Sequence, residues 1–335
     1  YKAEFLQQYY NSNRIPFKAW LVANYNSINR IASIVPSIYN TIVSWPVLSM
    51  MIKKMAGFAP QRKLPRVSPN TLRSWARQNL STLNANKSKT KSVVLFCDEF
   101  TNHLDSITGV NACKLLSRMG YYIILPNHTE SGRAAISKGL LKSARKIADK
   151  NIEILSSFAQ QKIPIVGLEP SAILSLRDEY PDLCSDSLKD NAISIAENSF
   201  LIDEFICSEA ASEKIDKTLF HATPRKIYVH AHCHQKALSS ASYTVEMLHL
   251  IPNQLVTEID CGCCGMAGSF GFEKEHYDLS IAIAELKLFP AIRAAETDAI
   301  IAAPGISCRQ QILEGTGRNA LHPVDILFES MGKND

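Results

Sequence analysis

Between residues 91 and 335, short apolar runs that favour extended chain alternate with stretches whose apolar residues recur at helical spacing. Segments 226–233, 254–260 and 298–303 read as strands, and 275–295 reads as a helix. Such alternation predicts an α/β fold with a parallel sheet. The pattern occurs twice. Segment 92–97 matches 226–233, 121–132 matches the run into residue 265, and 163–172 matches 299–308. Cys97 and Glu130 are 33 residues apart, against 30 for Cys233 and Cys263. Ser131 and Ala172 are 41 apart, against 44 for Cys264 and Cys308. This agreement predicts an internal duplication. On that reading the chain holds a helical segment at 1–90, a first α/β domain at 91–222 and a second at 223–335.

The first 90 residues follow another pattern. Pro16, Pro36, Pro46 and Pro60 punctuate helical stretches, and a Pro-, Ser-, Asn- and Lys-rich run at 65–91 reads as a linker. Residues 31–52 are uncharged and long enough to suggest a membrane span. Two prolines, Asn40 and several Ser and Thr argue against one. Their basic flanks, Arg30 and Lys53-Lys54, suit an interfacial helix on anionic lipid better. Packing against the α/β body or against domains outside this sequence is the plainer expectation.

Charge sharpens the division. The net charge of +4 conceals thirteen Lys and Arg against Glu4 alone in residues 1–90, and 23 basic against 31 acidic residues beyond. No nucleic-acid recognition motif accompanies the basic segment, so a nucleic-acid partner is not expected. Nine cysteines without a signal-peptide pattern suit a reducing cytoplasm. The basic segment allows peripheral contact with the inner membrane.

Four of those cysteines sit at the ends of predicted strands: Cys233, the neighbours Cys263 and Cys264, and Cys308. Adjacent thiols are poorly placed to bond each other, but both can face one metal. In open parallel sheets, sites form beyond the carboxyl ends of the strands, so these thiols are expected to converge. Four thiolates suit zinc or a [4Fe–4S] cluster equally. No two of these four stand at the Cys-x-x-Cys spacing common in structural zinc sites. In the first copy Glu130, Ser131 and Ala172 stand where the second has cysteines, leaving Cys97 as the sole remnant and implying that its metal is lost.

Around the centre, Cys261 reads as a spare ligand, a redox-active thiol or a partly exposed bystander. Gly265, Gly268 and Gly271 let backbone amides approach sulfur, and their spacing is not that of a dinucleotide loop. His230, His232 and His234 would share one face of an extended segment, with Cys233 on the other, and can take up protons near neutral pH. Arg309 can offset thiolate charge. His128, Glu130 and Ser131 read as a relic of the first site. Cys113, Cys184 and Cys207 read as packing residues, and Asp98-Glu99 and Asp178-Glu179 as loop and helix-start charges. No Ser/His/Asp order, P-loop or zinc-hydrolase motif stands out, which leaves redox as the function class.

At these residues the chain resembles a known family. His232-Cys-His-Gln-Lys-Ala237, Asp260-Cys-Gly-Cys-Cys-Gly-Met-Ala-Gly-Ser-Phe-Gly271, Gly132-Arg-Ala-Ala-Ile-Ser-Lys-Gly139, Leu168-Glu-Pro-Ser171 and Leu176-Arg-Asp-Glu-Tyr180 carry the likeness, which covers roughly residues 91–335. They resemble the cysteine-rich (CCG) region of bacterial FAD-linked oxidases of the D-lactate, or D-2-hydroxyacid, dehydrogenase type. The CCG domains of heterodisulfide reductase B-type subunits are related. The resemblance implies two tandem CCG-type domains, with a [4Fe–4S] cluster on Cys233, Cys263, Cys264 and Cys308 of the second and zinc as the alternative. It implies Cys261, His232, His234, Gly265 and Arg309 around the cluster. It also implies FAD and ferredoxin-like domains upstream in the same polypeptide, and a quinone or protein acceptor. The opening at Tyr1, without Met, fits a piece of such a longer chain. One departure stands out. The family's last motif is Cys-x-x-Cys, and Gly305 occupies its first place, which argues for a four-ligand cluster over the reductases' five-cysteine one.

Overall fold

The computed structural model describes residues 1–221 and 223–332. It contains two four-stranded parallel sheets. The first comprises β1 (Ser92–Phe96), β2 (Tyr122–Ile124), β3 (Ile165–Gly167) and β4 (Ser199–Leu201), in the order β2-β1-β3-β4. The second comprises β5 (Lys226–Val229), β6 (Leu255–Glu258), β7 (Ile300–Ala302) and β8 (Ala320–Leu321), in the order β6-β5-β7-β8. Adding four to each strand number turns one order into the other. The fold is α/β with two similar units.

Alternation along the strands builds the core. Val93 and Leu95 of β1 and Ile227 and Val229 of β5 join one apolar cluster that lies between the sheets. Val94 and Phe96 turn to the opposite face, against Ile152 and Leu155 of the helix Leu141–Gln160. Tyr228 and Ile301 turn to the far face of the second sheet, where Cys261, Cys264 and Cys308 also lie. The repeats therefore share a core, and the thiols sit on its outer side.

The structure corrects several expectations. β5 ends at Val229, four residues short of Cys233. Residues 275–295 do not form one helix: Tyr277–Glu285 stops and Leu288–Ala294 restarts. Pro290 has no N–H for the carbonyl four residues earlier, and the restart places it in a first turn, where none is needed. The supposed linker contains a helix, Leu72–Asn84, whose Thr71 hydroxyl accepts from the Ser74 amide and whose Leu72 and Ala76 are buried. β4 and β8, of three and two residues, are too short for alternation to reveal.

In the basic segment Pro36 and Pro46 open helices, where a missing N–H costs nothing. Helices of this segment touch the first repeat, among them Lys2–Ser12 against Leu141–Gln160, Phe17–Ala23 against Arg133–Ser137 and Leu72–Asn84 against Ser106–Arg118. The Ala59 amide donates to Phe272 O at 2.7 Å, and the Lys274 amide to Gly57 O at 3.0 Å. Arg62 is fully buried. Its Nε donates to Gly271 O at 2.7 Å, Nη2 to the Ser280 hydroxyl at 3.0 Å and Nη1 to Glu314 at 2.9 Å. Among the described residues, no helix is long and apolar enough to cross a membrane.

Candidate metal centre

Three strand ends deliver the thiols. After β5 the chain is pinned to β7 by the His230 amide, which donates to Ala302 O at 2.8 Å. His232 then caps the helix Cys233–Leu238, its Nδ1 accepting from the His234 amide at 3.2 Å, so Cys233 begins a helix. After β6 the Ile259 amide bonds Val229 O at 2.8 Å and leads into Cys261, Cys263 and Cys264. Gly265 turns the chain with φ +88°, and a Cβ there would collide with the Ser280 carbonyl. Only glycine fits both restraints. After β7, Gly305 precedes the helix Ile306–Thr316, which carries Cys308 in its first turn.

The sulfurs form a continuous series: Cys233 meets Cys263, Cys263 meets Cys264, and Cys264 meets Cys308. Cys264 and Cys308 are buried, at 4 % and 2 % exposure, while Cys233 and Cys263 are half-buried. All nine cysteines are free thiols. Hydrogen bonds from its two neighbours, Cys233 and Cys264, push Cys263 down to about 2. Cys308, accepting from Cys264, is likewise held well below the ordinary thiol range. The donors Cys233 and Cys264 are raised in turn. The series favours negative charge on Cys263 and Cys308 over Cys233 and Cys264, and a metal binding there would displace the remaining thiol protons.

The groups around the sulfurs differ from expectation. The three histidines do not alternate along a strand, because the strand has ended before His230. The rings of His232 and His234 lie tilted against each other at 31°, with centroids 5.3 Å apart. His230 is 1 % exposed, with Nδ1 3.1 Å from the Cys261 sulfur. One of its ring nitrogens lies within 4.8 Å of the sulfurs of Cys264 and Cys308. Burial opposes a charge on His230, but Cys308 and Cys261 outweigh it and push its pKa up to about 10. His230 is therefore a group beside the sulfurs whose surroundings favour a positive charge. Arg309 turns away, donating to Ala303 O at 3.0 Å and Pro304 O at 2.9 Å and pairing with Asp105. Cys261 is buried, 7 % exposed, so it is no exposed bystander. The Gly265 amide donates to the Cys263 sulfur at 3.3 Å.

The first repeat corrects the alignment. Asp98 caps the helix Glu99–His103 as His232 caps Cys233–Leu238, so Glu99, not Cys97, stands in the place of Cys233. Gly132, with φ +76°, matches Gly265 and puts Ser131 opposite Cys264. The Glu99 carboxylate accepts from the Ser131 amide and hydroxyl, both at 2.8 Å. A carboxylate and a hydroxyl thus close the first site on itself. The Cys97 amide donates to His128 Nε2 at 3.0 Å, away from that place.

A soft metal fits the second site. Four sulfurs follow one another as neighbours, and the buried Nε2 of His230 has no hydrogen-bond partner, a costly state unless something else occupies the space. Glu169, which sequence reasoning passed over, also reaches the site from the first repeat: its Oε2 accepts from the Ile306 amide at 2.9 Å. The only hint was its place in Leu168-Glu-Pro-Ser171.

No protein-family model matches the chain. It is 26% identical over 339 residues to the D-2-hydroxyglutarate dehydrogenase of Escherichia coli (strain K12), an alignment covering 98% of this chain and 32% of that protein. The Pseudomonas putida protein of the same name is 24% identical over 336 residues, covering 98% and 32%. A subunit of the anaerobic glycerol-3-phosphate dehydrogenase of Escherichia coli (strain K12) is 27% identical over 329 residues, covering 96% of this chain and 79% of that one. The chain spans about a third of the length of the D-2-hydroxyglutarate dehydrogenases it matches. Both groups of relatives are dehydrogenases or their subunits, in keeping with a general oxidoreductase role.

Proposed function

We propose that Cys233, Cys263, Cys264 and Cys308 hold one [4Fe–4S] cluster, and that the chain is an electron-transfer module of a longer FAD-linked D-2-hydroxyacid oxidoreductase. The supporting observation is the series of four neighbouring sulfurs, two of them held below the ordinary thiol range, beside a buried histidine nitrogen without a partner. When bound, such a cluster accepts and releases single electrons. The chain's own residues set the conditions. Cys264 and Cys308 seal the inner side, and the half-buried Cys233 and Cys263 mark the side facing a donor or acceptor. His230 and the Gly265 amide stabilise negative charge on sulfur, which raises the potential.

The relatives' names suggest D-2-hydroxyglutarate as the hydroxyacid. In this reading the flavin chemistry and a ferredoxin-like relay belong to other parts of the polypeptide, and electrons leave to a quinone or protein acceptor on the cytoplasmic side. A zinc-stabilised docking module is the second reading, favoured by His232, Cys233 and His234, whose ligand atoms lie within 4.8 Å of one another. Disulfide reduction at the cluster, as in heterodisulfide reductases, is disfavoured by Gly305 in the place of a fifth cysteine. Iron, acid-labile sulfide and zinc analysis of anaerobically purified protein decides between them. About four irons and four sulfides per chain support the relay. One zinc without sulfide overturns it.

A further inference from the structure

The repeat that lacks the thiols contributes charged groups to the repeat that has them. The segment 303–309, which leads into the helix carrying Cys308, is held by two carboxylates of the first repeat. Asp105 pairs with Arg309, whose guanidinium also ties down the Ala303 and Pro304 carbonyls. Glu169 does more. It is 5 % exposed and caps its own helix through the Ser171 amide and hydroxyl, both bonded to Oε1. Its Oε2 accepts from the Ile306 amide, the first N–H of the helix bearing Cys308. Gly305, in the N-cap position, has no side chain to meet that amide. The acceptor that a Ser or Asp would supply there comes from 137 residues away.

The same carboxylate faces a histidine beside the sulfurs. His232 uses Nδ1 to cap Cys233–Leu238, so its proton sits on Nε2, and Nε2 lies 3.9 Å from Glu169 Oε1. Gly305 makes this arrangement possible: a Cβ there would run into the His232 ring and stand 3.3 Å from the Cys308 sulfur. The missing side chain at 305 leaves the space that the His232 ring occupies. Glu169 thus touches the helix starts that present both Cys308 and Cys233.

We propose that Glu169 is a positioning residue for the metal centre, fixing the Cys308 helix and the His232 ring while placing a negative charge beside the sulfurs. This rests on the iron–sulfur reading above. Groups that orient metal ligands typically change metal retention by ten- to a hundredfold when removed, and a nearby negative charge lowers a cluster's potential.

The test compares wild type, Glu169→Gln and Glu169→Ala, all purified anaerobically as the full 335-residue chain. Iron and sulfide are assayed first, then iron release to a ferrous chelator, then the midpoint potential by spectroscopically monitored titration. Glu169→Gln retains an acceptor for the Ile306 amide, so it should keep its iron and show a higher midpoint potential. Glu169→Ala should lose iron about tenfold faster. A variant with unchanged potential and unchanged iron release overturns the role of Glu169 and leaves the iron–sulfur reading standing. Wild type devoid of iron and sulfide overturns that reading, and this inference with it. If Glu169→Ala does not fold, the potential of Glu169→Gln carries the test, since a purely structural role would not move it.

Discussion

The two repeats share a strand order and differ in what they leave unsatisfied. In the first, Glu99 takes both donors of Ser131, the Tyr180 hydroxyl donates to Ser131 O at 3.0 Å, and Asn151 donates to the Tyr180 hydroxyl at 2.8 Å. Among the described residues, no buried side-chain polar atom of segment 91–221 lacks a partner. In the second repeat His230, Gln235, Ser239, His276 and Gln311 all have one that does. Buried polar groups without partners are costly. A pocket whose groups satisfy one another has no need of a ligand, and one with groups left over has a place for it.

The largest expected effect follows from that contrast. Cys264→Ser, at the middle of the sulfur series, should abolish metal binding, with iron and sulfide falling to background. Its counterpart Ser131→Ala should leave both unchanged. Equal metal loss in the two variants would end the distinction between the sites.

Next is the clamp between the basic segment and the Cys-Cys-Gly loop. Arg62 makes three hydrogen bonds from a fully buried position, and its guanidinium lies 4.9 Å from the centre of the Tyr277 ring. Removing one partner of a buried ion pair costs about 3–5 kcal/mol. Arg62→Ala should lower the urea midpoint accordingly and expose residues 1–60 to limited proteolysis. An unchanged cleavage pattern would argue against this docking.

Glu99→Ala is smaller. It strands the amide and hydroxyl of Ser131 in the interior, at about 1–3 kcal/mol. Burial pushes the Glu99 carboxyl above its usual range, so losing the charge offsets part of that cost. Glu99→Gln, which keeps an acceptor, should cost less. Neither should change the metal content, measured beside the melting temperature.

Much of this comparison was legible in the chain. Strand-end cysteines and repeated spacings declare themselves by residue type and interval, which is why the duplication and the four thiols could be picked out. Glu99 was not, because Cys97 offered a more obvious match and an acid beside Asp98 looks like a helix-start charge. Asp98 is such a charge, and Glu99 is a buried plug. Arg62 and Glu169 left no periodic trace either. Their partners lie 209 and 137 residues away, and a single buried polar contact over such a distance has no local pattern. The helix Leu72–Asn84 was hidden by composition: its few buried apolar residues face the core from an otherwise polar run.

The finest test of the comparison is pH, because two buried groups of the first repeat, His128 and Asp98, are both shifted towards their uncharged forms. His128 donates from Nδ1 to Thr129 O at 2.6 Å and accepts at Nε2 from the Cys97 amide, a bond only neutral imidazole can accept. Burial, then the Arg73 guanidinium, push its pKa from 6.5 down to about 3. The unfolded chain therefore takes up this proton first as pH falls. The stability His128 contributes is full above pH 6.5 and is lost as pH drops towards about 3, at no more than about 1.4 kcal/mol per pH unit. Asp98 has the opposite sign. Burial, then Glu99, push it from 3.8 up to about 8, so its contribution is full below pH 3.8 and is lost as pH rises through about 8. His128→Gln should flatten the acid limb of stability against pH, and Asp98→Asn, which can still cap its helix, the alkaline limb. Denaturant titrations from about pH 4 to 9 check both. Wild-type slopes in both variants would mean that the proton linkage lies elsewhere. A change in metal content in either would mean that the two repeats are not separable at all.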